Sequence, residues 1–398
     1  MKNWALKGKK VLIRVDFNVP MNDQQDVTDD TRIVAAIPTI KHILDQGAAV
    51  ILFSHLGRPE KKDGSIDKTS YSMGPVARHL EKVLGKPVKF SGEPRGEKVA
   101  QAAKALQAGE VLVLENTRYE KGESKNDPTL AEEWSHLADY YVNDAFGTAH
   151  RAHASNAGVA SFFTTATKSF GLLMEKEVLS AQRILVNPAR PFTAILGGAK
   201  VSDKILLIEN LIGKANHIII GGGMAYTFMK AKGGKIGKSL CEEDKVSLAE
   251  QLLAKAKAAG VTIHLPEDSI AADAFSADAQ TRTVNSKAIP EGWMGLDIGP
   301  EAVAHFSKVI ASSKSICWNG PMGVFELAPF AAGTKAIAQA VASATRNGAF
   351  SLIGGGDSVA AVNQMGLADE VSFVSTGGGA MLTMLEGSDM PGIDCIVK

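Results

Sequence analysis

Cysteine is scarce in this sequence. Cys241, Cys317 and Cys395 stand far apart in 398 residues, with no CxxC pair and no zinc-type spacing. That excludes a disulfide scaffold and a zinc finger, and it suits a reducing compartment such as the cytoplasm. An excess of one charge is also missing, since Lys plus Arg and Asp plus Glu number 43 each. No global field draws the chain to nucleic acid or to a membrane surface, so an anion site has to be built locally. No apolar run approaches the ~18 residues of a membrane span. Met1-Lys2-Asn3-Trp4 runs into Lys7-Gly8-Lys9-Lys10 without an apolar signal core. No GxGxxG closes any strand pattern, which removes the main support for hydride transfer. Gly233-Gly234-Lys235-Ile236-Gly237-Lys238-Ser239 imitates a Walker A loop, but Lys232 stands where its first glycine is required.

What is present is a globular chain, 45% hydrophobic and 22% charged, long enough for two domains. In the first half, strand patterns at 11–15, 49–53, 111–114 and 140–142 alternate with helix patterns at 33–44, 74–84 and 130–138. Such alternation predicts βαβ units and a parallel sheet. Ligands bind such sheets at the carboxyl ends of the strands. Here those ends carry Asp16 and Asn18, His55 and Arg58, Arg118, and Arg151, with Arg32 at a helix start nearby. Single arginines are ordinary surface residues. Several at strand ends describe a basic pocket for a phosphorylated or carboxylated small molecule, because guanidinium binds both groups bidentately. Arg14 lies inside a strand pattern and receives no role. His150 and His153 read as surface or loop histidines, since the HxxH pair lacks a third ligand.

A long amphipathic helix is expected over 171–187, ending at Asn187-Pro188, and the domain boundary is placed there. Beyond it the strand ends turn to glycine: Gly197-Gly198, Gly221-Gly222-Gly223, Gly320, Gly354-Gly355-Gly356 and Gly377-Gly378-Gly379. The run Ser351-Leu352-Ile353-Gly354-Gly355-Gly356-Asp357-Ser358 reads as strand, turn and helix start. Glycine lets backbone approach a ligand closely, and a helix start offers free N–H groups and a positive dipole end to phosphate. Asp357 can then hold magnesium beside the phosphates. A lone GGGDS equally suits a tight turn with Asp357 or Ser358 as helix cap, but repetition along one sheet edge favours a nucleotide. Lys200 and Lys204 share one face of a helix's first turn, and Glu326 suits ribose hydroxyls.

Taken together, VLIRVDFNVP, SHLGRP, LENTRYEKGE, VNDAFGTAHRAHAS, ILGGAKVSDKI, IIGGGMAYTF, WMGLDIGPE, WNGPMGVFE, LIGGGDSVAAV and STGGGAMLTMLEG resemble the phosphoglycerate kinase family, in order and over nearly the whole chain. The resemblance implies an α/β protein of two Rossmann-like parallel-sheet domains joined by a long interdomain helix. The domains fall at 1–170 and 188–386, the helix at 171–187, and a C-terminal tail of about 387–398 packs back on the first domain. Asp16, Asn18, Arg32, His55, Arg58, Arg118 and Arg151 then match the 3-phosphoglycerate site. Lys200, Lys204, Gly221, Gly222, Gly295, Glu326, Gly355, Gly356, Asp357 and Ser358 match the nucleotide site, with Asp357 on Mg2+. Arg32, Lys200 and the helix starts at Gly356 and Gly379 are the expected catalytic groups. The implied activity is reversible phosphoryl transfer between 1,3-bisphosphoglycerate and MgADP, by a cytoplasmic monomer. Tyr119-Glu120 replaces the family's usual phenylalanine and its successor, and Ser358 a common threonine, which keeps the hydroxyl. Another ATP-dependent kinase of a carboxylate, or a non-catalytic nucleotide-binding protein, stays open on the residues alone.

Overall fold

Lys10–Val15 forms the first strand, β1, and every residue in it after Lys10 is buried. Val11, Ile13 and Val15 join one apolar cluster, and Leu12 joins another on the opposite face. A strand covered on both faces reads as an unbroken apolar run instead of an alternating one. The computed structural model describes residue 1 and residues 4–397. Lys2 and Asn3 of the expected first domain and Lys398 of the expected tail lie outside the described residues.

The chain divides into two compact units, Met1–Val178 with the residues from Asp389 on, and Leu179–Ser388. In the first unit β1 is followed by α1 (Thr31–Asp45), β2 (Ala49–Phe53), α2 (Gly74–Leu84), β3 (Val88–Phe90) and α3 (Glu97–Ala105). Then come β4 (Val111–Val113), α4 (Pro128–Ser135), β5 (Tyr140–Asp144), β6 (Lys168–Phe170) and α5 (Leu172–Leu185). The division of the chain falls within α5. Its first turn is tied to β5, because the Met174 amide donates to Asp144 Oδ1 at 3.0 Å.

The second unit opens with β7 (Phe192–Leu196), α6 (Ile205–Ile212), β8 (His217–Ile220), α7 (Met224–Ala231), β9 (Lys235–Ile236) and α8 (Val246–Ala258). It continues through β10 (Thr262–His264), β11 (Asp268–Ala272), β12 (Thr281–Asn285), β13 (Ala288–Ile289), β14 (Met294–Ile298) and α9 (Pro300–Ala311). It closes with β15 (Ser315–Asn319), α10 (Ala332–Arg346), β16 (Phe350–Gly354), α11 (Gly356–Gln364), β17 (Phe373–Val374) and α12 (Gly379–Leu385). The last helix, α13 (Pro391–Val397), belongs to the first unit, where Asn143 Nδ2 donates to Gly392 O at 2.9 Å.

Each unit holds a six-stranded parallel sheet, ordered β3-β4-β2-β1-β5-β6 in the first and β10-β8-β7-β15-β16-β17 in the second. The chain builds outward from β1 toward β3 and then returns to add β5 on the other side. In the second sheet the same reversal separates β7 from β15. Such switch points open a crevice at the carboxyl ends of the strands. The sequence reading missed β3, α3, β6 and two small sheets, β12-β11-β14 and β13-β9. Most of these strands have two or three residues, and β12 is mainly exposed and polar. β11 and β14 are mostly buried, but they carry Asp268, Ser269, Gly295 and Asp297 among their apolar residues, which breaks the strand pattern.

At the edge of the second sheet, His217 Nδ1 lies 3.1 Å from His264 Nε2, and His264 Nδ1 lies 2.9 Å from His305 Nε2 of α9. A neutral middle ring serves both contacts by donating from one nitrogen and accepting at the other. Burial, then His217 and His305, push His264 down to about 4. A folded-state value below the ordinary ~6.5 means that this ring's contribution is lost as pH falls from there toward 4. The melting-temperature advantage of the wild type over His264→Gln is therefore expected to shrink across that window. An advantage that stays constant from pH 7.5 to 4.5 rejects the arrangement.

Candidate functional site

In the first unit, β1 leads directly into Asp16, β2 into His55 and Arg58, β4 into Arg118, and β5 into Arg151. Asp16 and His55 are buried, and Arg58 and Arg151 are exposed. Arg32, the second residue of α1, donates from Nη1 to Asn18 O at 2.9 Å and lies 3.4 Å from Asp16 Oδ2. Asn18 Oδ1 accepts the Gly57 amide at 2.8 Å, and Arg118 Nη1 donates to Gly57 O at 2.6 Å. The turn after β2 is thus held from two sides. A cavity of about 430 Å3 adjoins it beside Leu56, Gly57 and Tyr71, and Asn18 is the only candidate among its walls.

The charges crowd together. Burial lowers the Arg118 pKa from its ordinary value, and Arg14, Arg151 and Arg58 lower it further while Glu123 opposes them. Burial likewise drives the His55 imidazole well below its ordinary value, followed by Arg14, Arg118, His153 and Arg32. Arg14 and Arg32 are paired with Glu123 and Asp16, but Arg58, Arg118 and Arg151 have no ion-pair partner among the described residues, and the positive charge they leave at this strand edge suits an anion. His153 corrects the sequence reading. It lies in a loop, but it is buried there instead of at the surface, and burial with Arg14 and Arg118 pushes it down to about 4. His150 stays partly exposed and accepts from Arg151 Nε at 3.1 Å.

In the second unit, the switch point brings backbone to backbone. The Gly197 amide donates to Asn319 O at 3.0 Å, and a Cβ on Gly197 would stand 1.9 Å from Pro321 O. Two cavities open from this crevice. One of about 350 Å3 collects Lys200, Lys204, Asn319, Gly355, Gly356 and Gly379, with Asp357 on its wall. The other, about 630 Å3, is walled by Gly222, Gly295, Glu326 and Asp357, and by apolar residues. Asp357 borders both. The helix starts fall where the glycine pattern put them, α11 at Gly356 and α12 at Gly379.

Lys200 is exposed and the structure gives it no partner among the described residues. Lys204 instead donates to Asn319 Oδ1. Burial pulls the Lys204 ammonium down, against Glu386, Asp203 and Asp357. Asn319 is buried, and its Nδ2 has no hydrogen-bond partner among the described residues. That leaves a donor in the wall of the smaller cavity. Gly221 and Ser358 line neither cavity. Gly221 is packed under Met322, and the Ser358 hydroxyl accepts the Gly320 amide at 2.5 Å. They shape the crevice from below.

Sequence reasoning missed the apolar walls of the larger cavity, Leu240, Phe275, Met294, Leu296, Val324 and Leu327. Phe275 is 65% exposed and Leu240 49%, so this wall presents apolar surface to the cavity. Met294 and Leu296 come from β14 and the other four from loops, so no single periodicity links them. The Walker-like stretch contributes Lys238 to the same wall, although its Lys235–Ile236 pairs as a strand with β13. Asn319 had a signal in the strand-end WNGP. Arg14 had one as a charge in an otherwise apolar strand. A further cavity of about 530 Å3 beside α3 and α4 adjoins Lys10 and Asp139, at the amino ends of β1 and β5, and holds none of the candidate residues.

Residues 1–388 match the profile of a known family, phosphoglycerate kinase. The chain is 53% identical over 394 residues to the phosphoglycerate kinase of Thermosipho africanus, covering 99% of this chain and 96% of that one. The corresponding protein of Herpetosiphon aurantiacus is 52% identical over 393 residues, covering 99% and 97%. The solved phosphoglycerate kinase of Coxiella burnetii superposes with a TM-score of 0.90 at 44% identity, over 100% of this chain and 98% of that one.

Proposed function

The chain belongs to the phosphoglycerate kinase family, and from that membership we infer how its residues divide the work. The reaction is reversible phosphoryl transfer between 1,3-bisphosphoglycerate and ADP, giving 3-phosphoglycerate and ATP. A β-phosphate oxygen of ADP attacks the phosphorus of the acyl phosphate in line, the bond from phosphorus to the acyl oxygen breaks, and the carboxylate leaves. In reverse the nucleophile is that carboxylate, already ionised at neutral pH because its pKa is about 4. No general base is required. Positioning and charge stabilisation carry the chemistry.

The first unit takes the phosphoglycerate. The cations around Arg118 and His55 support this assignment. Arg58 and Arg151, both exposed, reach the anion from outside, while Asp16 and Asn18 keep Arg32 aimed. The second unit takes the nucleotide. The observation that carries this reading is Asp357, a carboxylate in the first turn of α11 bordering both cavities. The base lies against Phe275, Leu240 and Met294, the ribose against Glu326, and the phosphates against Gly355, Gly356 and the lysines. Magnesium arrives with the nucleotide, since one carboxylate plus substrate phosphates suits it. Among the described residues no three His, Cys, Asp or Glu side chains converge as a resident metal site. The ion screens the phosphate charge during transfer.

Because the two sites belong to different units, the units have to close on each other for transfer. A cross-link that blocks closure is expected to abolish turnover and leave each substrate's binding largely intact. The chain works as a cytoplasmic monomer; its three free thiols support the reducing compartment, and light scattering and cell fractionation check the two halves of the reading. ATP formation from 1,3-bisphosphoglycerate and ADP tests the function itself. ATP is expected to appear only with both substrates, and to stop when a chelator removes magnesium. Failure to form ATP, with nucleotide still bound, leaves a non-catalytic binding protein. ATP-dependent phosphorylation of a different carboxylate marks another kinase.

A further inference from the structure

Arg14 has no exposed surface and sits on the face of β1 that also carries Leu12. Each of the three nitrogens of its guanidinium is engaged. Nε donates to Ser155 Oγ at 2.7 Å, Nη1 to Val15 O at 2.5 Å, and Nη2 contacts His55 Nδ1 at 3.1 Å. Glu123, also fully buried, lies 3.9 Å from Nη2 and is itself fixed by the Ser155 amide and hydroxyl and by Thr117. The two buried charges neutralise each other and hold the guanidinium in one orientation.

Guanidinium has five donors and no acceptor. The Nδ1 atom of His55 therefore accepts, and the hydrogen of the neutral ring sits on Nε2. A second proton would have to enter at Nδ1, setting donor against donor and cation against cation in a buried place. Nε2 has no protein partner among the described residues. Around the ring stand Arg14, Arg118, Arg32 and His153 as cations or bases, with Asp16 committed to Arg32 and Glu123 to Arg14 and Ser155.

We propose that Arg14 is a positioning residue for the phosphoryl-transfer site, locking His55 as a neutral donor from Nε2 to an oxygen of the phosphorylated substrate. This rests on the reading of His55 as a substrate-site residue. The ring then contributes direction instead of charge, and substrate binding takes up no proton at His55. The downward displacement of the His55 pKa agrees with that.

Long-range 1H–15N spectra of the histidine-labelled full chain test the lock directly. Wild-type His55 is expected in the Nε2–H form and to titrate below the ordinary ~6.5. Arg14→Met alone strands the Glu123 charge, so the informative variant is Arg14→Met with Glu123→Gln. There the ring is expected to show both tautomers and to titrate nearer 6.5. Arg14→Lys keeps a donor toward Nδ1 and is expected to retain the wild-type pattern. In steady-state kinetics the double variant should raise KM for 3-phosphoglycerate about tenfold, the weight of one charge-assisted hydrogen bond, with little change in kcat. The rise should diminish at low pH, where a protonated ring donates from both nitrogens. An Nδ1–H tautomer in the wild type, or an ordinary titration there, overturns the lock whatever the role of His55. The expected spectra together with an unchanged KM overturn the donation to substrate, and with it the placing of His55 in the site.

Discussion

Arg32→Ala is expected to lose at least about 10² in kcat while KM for MgADP changes little. Charge on the moving phosphoryl group is spread over its oxygens in the transition state, so a fixed cation helps more there than in the ground state. Arginines in this role are worth on the order of 10³–10⁵ in rate, and Lys200 and magnesium compensate for part of that. Arg32 is already held for the task by the Asn18 carbonyl and the Asp16 carboxylate. Its removal also frees Asp16, so KM for 3-phosphoglycerate should rise. Arg32→Lys should recover only part of the rate, because ammonium lacks the planar fork. The competing description is a partly exposed helix-start arginine whose loss costs almost nothing. A kcat for folded Arg32→Ala within about threefold of wild type, under ~0.7 kcal/mol of barrier, would establish that description instead.

Asp357→Asn should lower kcat/KM for MgADP by about 10²-fold or more, since a positioned metal–phosphate contact is worth several kcal/mol of transition-state stabilisation. Binding of 3-phosphoglycerate should stay near the wild-type level, because its residues belong to the other unit. Asn keeps the side chain's shape at the start of α11 and removes only the charge. Calorimetry with ADP, with and without magnesium, separates loss of the metal contact from damage to the helix start. The metal-dependent gain in affinity is expected to vanish while metal-free ADP binding persists. Equal loss of both substrates, with the fold intact, would remove Asp357 from the nucleotide site.

Much of this was legible in one dimension. The parallel sheets follow from mainly apolar runs at 11–15, 49–53, 192–196 and 351–354, because strands buried on both faces have little room for polar residues. The one charge buried in these runs, Arg14, was visible as an exception. Its meaning was not, because its partners Ser155 and Glu123 lie more than a hundred residues away in sequence. The glycine clusters were equally readable. Gly197 and Gly222 sit where a Cβ would strike backbone atoms, a constraint a strand end can announce locally.

What the sequence determined by itself is therefore the main buried strands with their helices, the parallel sense of the sheets and the strand ends that carry the candidate residues. These depend on periodicity and on residue types with special backbone or charge properties, and both are local. Tertiary structure alone decided which strand ends face one another, because the switch points arise from the order in which strands join a sheet. It also decided that Gly221 and Ser358 support the crevice from beneath, that Asn319 keeps a donor in it, and that Phe275 and Leu240 wall the larger cavity. It buried His153 beside Arg14 and made His55 an acceptor at Nδ1. Such facts depend on atoms brought within about 3 Å across long stretches of chain, a scale on which hydrogen bonding acts and sequence spacing carries no information.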